Sequence, residues 1–380
     1  MRIVMATIRR PIVPIPTLCA RRSISTEHPP AKHLGAHISA AGGCVNALRN
    51  ALALGPHATA FSFFIRPRLS WRPVPPIPLD MERAFHAMLT RDAAFSRFRH
   101  DKIVVHGSYI LNFGSHDAEL REKSVQLMIE EVSKCQQLGV RWYAFHPGSC
   151  TRVPAALQWE TPRRRKPMES AARREQDEKQ ATARAMSIGF IAECMNHVLQ
   201  ETKDADVALV LENMCGQGSV LGRDFGELRA MLDATKAGGA ATERLGVCLD
   251  TCHAWSSGMQ MSTAAECDAM MRHFGDAIGD EWQRVLKVVH VNDSMDACGS
   301  KRDRHDNIGF GRIGLAAFEW LMNDPRFDGL PLILETPRRG LPRQDQIQGI
   351  GDPRHRELLA AVQDSDASEI ELLHRLHQRN

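Results

Sequence analysis

The sequence predicts an α/β protein of the (β/α)8 class, a TIM barrel built as a single domain, and three observations carry that expectation. Eight short apolar runs recur between residues 34 and 334, and each is followed by sequence with helical spacing. Strict alternation of this kind implies parallel strands. The span is also right, since roughly 250 residues or a little more is the usual size of such a barrel. Third, the runs end on His37, His106, His146, Glu212, Asp250, His290 and Glu335. The C-terminal strand ends are where this fold gathers its functional residues. The competing reading, a doubly wound open sheet, would concentrate such residues at one topological switch point.

Taken in order, the expected strands are 34–38, 58–65, 103–106, 142–146, 207–211, 246–249, 285–291 and 331–334. Between them lie an Ala/Leu helix closed by Gly55, then helical patterns at 81–89, 119–138 (closed by Gly139), 183–200, 225–233, 263–278 and 315–322. Glycine after the last periodic residue is the usual helix stop. The domain is expected to span 33–380. Within it, about 151–180 reads as a polar surface insertion with Arg163-Arg164-Arg165-Lys166, Arg173 and Arg174. The tail from about 338 reads as irregular, with a last helix at 367–377.

Composition narrows the class. With 43% hydrophobic and 24% charged residues, the 380-residue chain reads as an ordinary globular protein. No run approaches the ~18 apolar residues of a membrane-spanning helix. The ten cysteines form no Cys-x-x-Cys pair, which sets aside a disulfide scaffold and points to reduced intracellular thiols. A net charge of +3 identifies no partner, although a local basic patch still can. Residues 1–32 are left outside the fold. Up to Thr26 they carry Arg2, Arg9, Arg10, Arg21 and Arg22 with no acid, the composition of a mitochondrial transit segment. A tail without an address is the alternative, and the expected location is nucleus or mitochondrion.

The strand ends carry the chemistry. One buried histidine is usually structural; the joint pattern is not. Glu and Asp at the tips of apolar strands are costly to desolvate unless paired or coordinated. Mixed imidazole and carboxylate ligands suit zinc or another first-row ion better than magnesium or calcium. Asp250-Thr251-Cys252-His253 and Asp303-Arg304-His305 add further ligand types. Together these exceed what one tetrahedral ion uses, so carboxylates bridging two metals with a third close by is the expectation. Such clusters suit phosphodiester hydrolysis. Gly309-Phe310-Gly311-Arg312-Ile313-Gly314 matches a dinucleotide fingerprint formally, but it follows a polar loop where a strand is required. No nucleotide cofactor is expected.

Several stretches together resemble the endonuclease IV family of apurinic/apyrimidinic (AP) endonucleases. They are the run from Gly35 to Gly43 (Gly-Ala-His-Ile-Ser-Ala-Ala-Gly-Gly), His146-Pro147-Gly148-Ser149, Leu211-Glu212-Asn213-Met214-Cys215-Gly216-Gln217-Gly218, Asp250-Thr251-Cys252-His253-Ala254, His290-Val291-Asn292-Asp293, the run from Gly299 to His305, and Leu334-Glu335-Thr336-Pro337. The resemblance spans about 33–337. It implies three zinc ions: one on His106, His146 and Glu212; one sharing Glu212 with Asp250, His290 and Glu335; one on His253, Asp303 and His305. It further implies a monomer that cleaves duplex DNA on the 5′ side of an abasic site and leaves a 3′-hydroxyl, with activity on blocked 3′ ends. Glu212 and Glu335 would be the catalytic carboxylates, Glu335 orienting the attacking water. Tyr109, Arg66 and Arg68 would contact DNA, Tyr109 by entering the base stack.

The loop Ile65-Arg66-Pro67-Arg68-Leu69-Ser70-Trp71 departs from the family's Lys-Asn/Ser-x-Arg-x-Trp pattern. Phe310 stands where Glu is common, and Cys150 where His is frequent. None of these changes removes a ligand. Two other readings stay open: a metal-dependent sugar isomerase or epimerase on the same barrel, which has no use for the 303–305 pair, and a DNA-binding protein without catalysis.

Overall fold

The computed structural model describes residues 32–159, 170–338, 340–341 and 343–377. Residues 1–31 and Arg163-Arg164-Arg165-Lys166 fall outside it, so the transit and basic-loop expectations lie outside the described residues. In chain order the elements are β1 (His33–Ala36), α1 (Cys44–Leu52), β2 (Phe61–Phe63), α2 (Leu79–Arg91), β3 (Ile103–His106), α3 (Ala118–Leu138), β4 (Trp142–Phe145), α4 (Ser170–Glu201), β5 (Ala208–Glu212) and α5 (Phe225–Ala237). They continue with β6 (Leu245–Asp250), α6 (Thr251–Ser257), α7 (Ala264–Ile278), α8 (Trp282–Val285), β7 (Leu286–His290), β8 (Asp293–Ser294), β9 (His305–Asp306), α9 (Leu315–Asn323), β10 (Pro331–Leu334), α10 (Gln344–Gln348), α11 (Pro353–Ala360) and α12 (Asp366–His377).

Eight strands form one sheet in the order β1-β10-β7-β6-β5-β4-β3-β2, and every neighbouring pair is parallel. The two ends of that order meet. Ala60 N donates to Leu34 O at 3.0 Å and Ile38 N to Ser62 O at 2.8 Å, which closes the barrel through the bridges Leu34–Ala58 and His37–Ser62. Gly35 sits at this seam. A Cβ there would lie 2.0 Å from Ala60 O, so only glycine lets the strands approach this closely.

Two cores result. The larger lies between sheet and helices. The smaller fills the barrel and consists of Ala60, Val104, Ala144, Ala208, Val210, Cys248, Val288 and Ile333. Side chains alternate across a strand with period two. Two residues beyond Val104, Ala144, Val210, Cys248, Val288 and Ile333 come His106, His146, Glu212, Asp250, His290 and Glu335. The inward face of these six strands therefore runs from apolar filling to a side chain of metal-ligand type at its tip.

The structure corrects three boundaries. α4 begins at Ser170, not near 183, so 170–180 with Arg173 and Arg174 is helical. That segment is built of strong helix formers and a Glu175–Lys179 pair at 2.6 Å, but its burial starts only at Ala183. With no apolar stripe, periodicity could not reveal it. The tail past 338 is likewise more ordered than expected, with α10 and α11 before α12. Finally, α1 ends at Leu52; Gly55, at φ 86°, turns the chain three residues later.

Candidate metal centre

Glu212 is the hub. It ends β5 inside the barrel with no solvent exposure. Its Oε2 lies 3.4 Å from His106 Nε2 and 3.6 Å from His146 Nε2. Its Oε1 lies 3.1 Å from His290 Nδ1 and 3.2 Å from His253 Nδ1. His290 Nδ1 is also 3.3 Å from Glu335 Oε2, whose other oxygen is 3.7 Å from His37 Nδ1. On the far side, Asp303 Oδ1 is 3.3 Å from His253 Nε2 and 3.2 Å from His305 Nε2.

The rings are aimed by their other nitrogens. His106 Nδ1 bonds Gly107 O at 2.8 Å, His253 Nδ1 bonds Asn213 O at 2.8 Å, and His305 Nδ1 bonds Glu335 O at 3.2 Å. A ring whose Nδ1–H is spent on a carbonyl presents Nε2 as a lone-pair donor. The carboxylates are fixed in turn. Asp250 Oδ1 accepts from His253 N at 2.6 Å, making this ligand the N-cap of α6. Its Oδ2 accepts from Asn292 Nδ2 at 2.6 Å, and Asn292 Oδ1 accepts from Glu335 N at 2.8 Å. Asn213 Oδ1 accepts from Asp250 N at 2.7 Å while its Nδ2 donates to Asp250 O at 3.1 Å. Asn213 and Asn292 are positioning residues that strand-end reasoning does not single out. Their signal is a polar amide close beside a strand-end ligand in two of the matched motifs.

Charge in the cluster is finely opposed. Burial works against ionisation of Glu212, but neighbouring imidazoles, His290 foremost, outweigh it and hold the carboxyl well below its ordinary range. Glu335 follows the same balance, with His290 and His106 bringing it down to about 2 against burial. Asp303, beside His253 and His305, is also held low against burial. Burial pushes His37 down to about 3 and His146 down to about 4, so both rings are neutral at physiological pH. Burial likewise disfavours charge on His253, but Asp250 and Asp303 raise it well above its ordinary value. Ionised carboxylates packed this deeply need cations.

The donor atoms fit such ions. His106 Nε2, Glu212 Oε2, His253 Nε2 and His290 Nε2 are buried without a hydrogen-bond partner. Ligand atoms of His106, His146 and Glu212 lie within 4.8 Å of one another, as do those of His106, His290 and Glu335, and those of His253, Asp303 and His305. Two of these groups coincide with sets expected from the sequence. In the remaining set, His290 meets Glu212 and Glu335, while Asp250 leans toward His253 (3.8 Å) and His305 (3.9 Å). Cys248 and Cys252 border the cluster, but burial pushes both thiols up to about 12. Cys248 also groups with Glu212 and His290, and Cys252 with Asp250 and His305, whereas the sets implied by the resemblance use nitrogen and oxygen donors alone.

The residues expected at DNA divide. Tyr109 is 40% exposed at the rim. Its ring stacks on His146 with centroids 5.2 Å apart and planes 8° apart. Burial of the hydroxyl end and nearby Glu335 keep the phenol protonated. Arg68 is exposed, and its carbonyl accepts from Tyr109 N at 2.9 Å and Ser108 Oγ at 2.8 Å. Arg66 is a correction. Its side chain is 1% exposed and bonds Glu131 at 2.7 Å and Glu130 at 2.8 Å. Tyr143 OH also donates to Glu131. Arg66 anchors the loop from within, and the large apolar side chains that loop exposes are Leu69 and Trp71. Of the other departures, Phe310 is buried beneath Arg343, and Cys150 is buried 3.6 Å from His116 Nε2. Among the described residues no helix is long and apolar enough to cross a membrane.

Likeness to known proteins agrees with this geometry. The family described as a xylose isomerase-like TIM barrel matches residues 79–352. An apurinic-apyrimidinic endonuclease of Caenorhabditis elegans is 37% identical over 331 residues, covering 87% of this chain and 72% of that protein. Endonuclease IV from Thermus thermophilus superposes with a TM-score of 0.60 at 28% identity, covering 86% of this chain and 96% of that one. A D-tagatose 3-epimerase-like protein superposes with a TM-score of 0.52 at 15% identity over 90% and 98% of the two chains, a likeness of fold alone. The barrel, its ring of ligand-type strand ends and these relatives place the chain in the endonuclease IV family of AP endonucleases, hydrolases of DNA repair.

Proposed function

We propose that the protein is a zinc-dependent AP endonuclease that hydrolyses the phosphodiester 5′ to an abasic site in duplex DNA and leaves a 3′-hydroxyl. His106, His146 and Glu212 would hold one ion, Asp250, His290 and Glu335 together with Glu212 a second, and His253, Asp303 and His305 a third. The observation that carries this reading is the third set, joined to the first two through Glu212, with His253 at 3.2 Å from it and at 3.3 Å from Asp303. A sugar epimerase on this barrel has no task for that set.

Bound there, the ions supply Lewis acidity and an activated water at neutral pH. The chain's own residues do the rest. Glu335, ionised and steadied by Asn292 at its backbone N–H, orients the attacking water. Glu212 holds two ligand sets together. Tyr109, exposed at the rim, enters the base stack where the target nucleotide is displaced, in line with the need to take the target out of the duplex. Arg68 reaches the DNA backbone. The same pocket admits blocked 3′ ends, and the Arg-rich residues 1–26 supply a mitochondrial address.

The test is nicking of a duplex carrying one tetrahydrofuran site, with and without chelator, followed by polymerase extension of the product. The expected result is chelator-sensitive nicking on the 5′ side, with every nick extendable. Nicking that survives full metal removal, or ends that cannot be extended, would overturn the reading.

A further inference from the structure

Glu369 is a fully buried acid that no ligand set uses. It lies in α12, beyond the residues 79–352 matched by the family. Its Oε1 accepts from Ile308 N at 2.8 Å. Its Oε2 accepts from Thr336 Oγ1 at 2.6 Å and from Asn307 Nδ2 at 3.1 Å. Asn307 Nδ2 also donates to Pro337 O at 2.8 Å. One carboxylate thus ties together two segments that are otherwise far apart in the chain. One begins at His305 and the other at Glu335, and both begin with a ligand. At ligand level they touch through His305 Nδ1 and Glu335 O at 3.2 Å. The start of α12 is itself docked on the same segment, by Arg338–Asp366 at 2.7 Å and Gly340 N to Asp364 Oδ2 at 3.0 Å.

A helix anchored by buried Ile370, Leu373 and Leu376 needs no acid for its packing. A carboxylate buried among neutral donors is costly, so its presence asks for a reason. We propose that Glu369 is a positioning residue of the metal centre, clamping the His305 and Glu335 segments so that their ligand atoms are presented together. It touches neither ion. The inference rests on the three-ion reading above. Removing such a support of a metal ligand ordinarily weakens metal binding by about 10–100-fold. Here the loss falls on the ions held by His305 and Glu335, and the set on His106, His146 and Glu212 keeps its ion.

The experiment compares full-length wild type, Glu369→Ala, Glu369→Gln and Leu373→Ala. Zinc retained per chain is measured by elemental analysis after dialysis against a graded series of free-zinc buffers, beside thermal melting. We expect Glu369→Ala to release zinc from part of its complement at about 10–100-fold higher free zinc than wild type. Glu369→Gln, which keeps one acceptor oxygen, should fall between, and it also serves if the alanine variant does not fold. Leu373→Ala should lower the melting temperature without shifting zinc release. Wild-type release curves in both Glu369 variants would overturn the proposal, as would an equal shift in Leu373→Ala. A wild type with fewer than three zincs overturns the three-ion reading instead. The clamp is then upheld or refuted by whether release of the remaining ions shifts.

Discussion

The candidate ligands on strands and those on loops are held by different means. His106, Glu212, Asp250 and His290 end β3, β5, β6 and β7 and are essentially unexposed. Their direction follows from the inward alternation of the barrel, and the parallel ladders fix their height. Asp303 and His305, 39% and 18% exposed at the side chain, have no such ladder. Their loop returns through the two-residue antiparallel pair β8–β9. It holds Lys301 at φ 56°, a conformation a non-glycine residue adopts at a cost. It closes on Asp293, a buried carboxylate that accepts from the backbone N–H of Ser294, Gly309, Gly311, Ile313 and Gly314. A barrel places strand ligands as part of folding. A loop ligand needs dedicated buried polar groups, and Asp293 and Glu369 supply them.

That contrast can be broken at its strongest point first. Glu212→Ala removes the acid on which the strand-borne His106 and His290 converge. It should lower abasic nicking by about 10²–10³-fold or more, at least the scale of losing one preorganised electrostatic group at the reacting centre, and should strip more than one ion. Nicking rate and metal content check it together. Arg66→Ala comes next. It leaves Glu131 buried without its cation, which costs about 3–5 kcal/mol, read as a fall in the urea midpoint. A stability change below about 0.5 kcal/mol, the range for surface substitutions, would show that Arg66 is not the anchor of its loop.

Glu369 gives a smaller, pH-dependent effect. Burial raises its folded-state pKa to about 6 against donors that pull it down. The protonated form is therefore favoured on folding. That contribution is fully present below about pH 4.5 and is lost as pH rises through about 6. It amounts to about 2 kcal/mol. The difference in unfolding free energy between wild type and Glu369→Gln, measured by denaturant titration at pH 4.5 and pH 7, should change by that amount and in that direction. The smallest effect belongs to Arg68→Ala. Its stability should stay within about 0.5 kcal/mol of wild type, while DNA binding weakens and the slope of log affinity against log salt falls by about one.

The same division explains what the sequence reveals. Period-two alternation makes the strand ligands readable, because Val104-Val105-His106 and Val288-Val289-His290 each carry apolar filling and ligand on one face. The loop pair Asp303 and His305 is readable only as a tight cluster of ligand types. What holds it is not, since Asp293 and Glu369 act across 16 to 62 residues of chain. Arg66 reads as a DNA contact because it stands at the family's Lys position, and nothing in the loop signals a buried acid 65 positions away. The first turns of α4 escape detection because a solvated helix has propensity but no stripe.

The proposed third ion site rests on the loop-borne set Asp303 and His305 with His253. Elemental analysis of the purified full-length protein tests this directly. About three zincs per chain are expected, with one lost in His305→Ala. One or two zincs per chain, unchanged by that substitution, would contradict it.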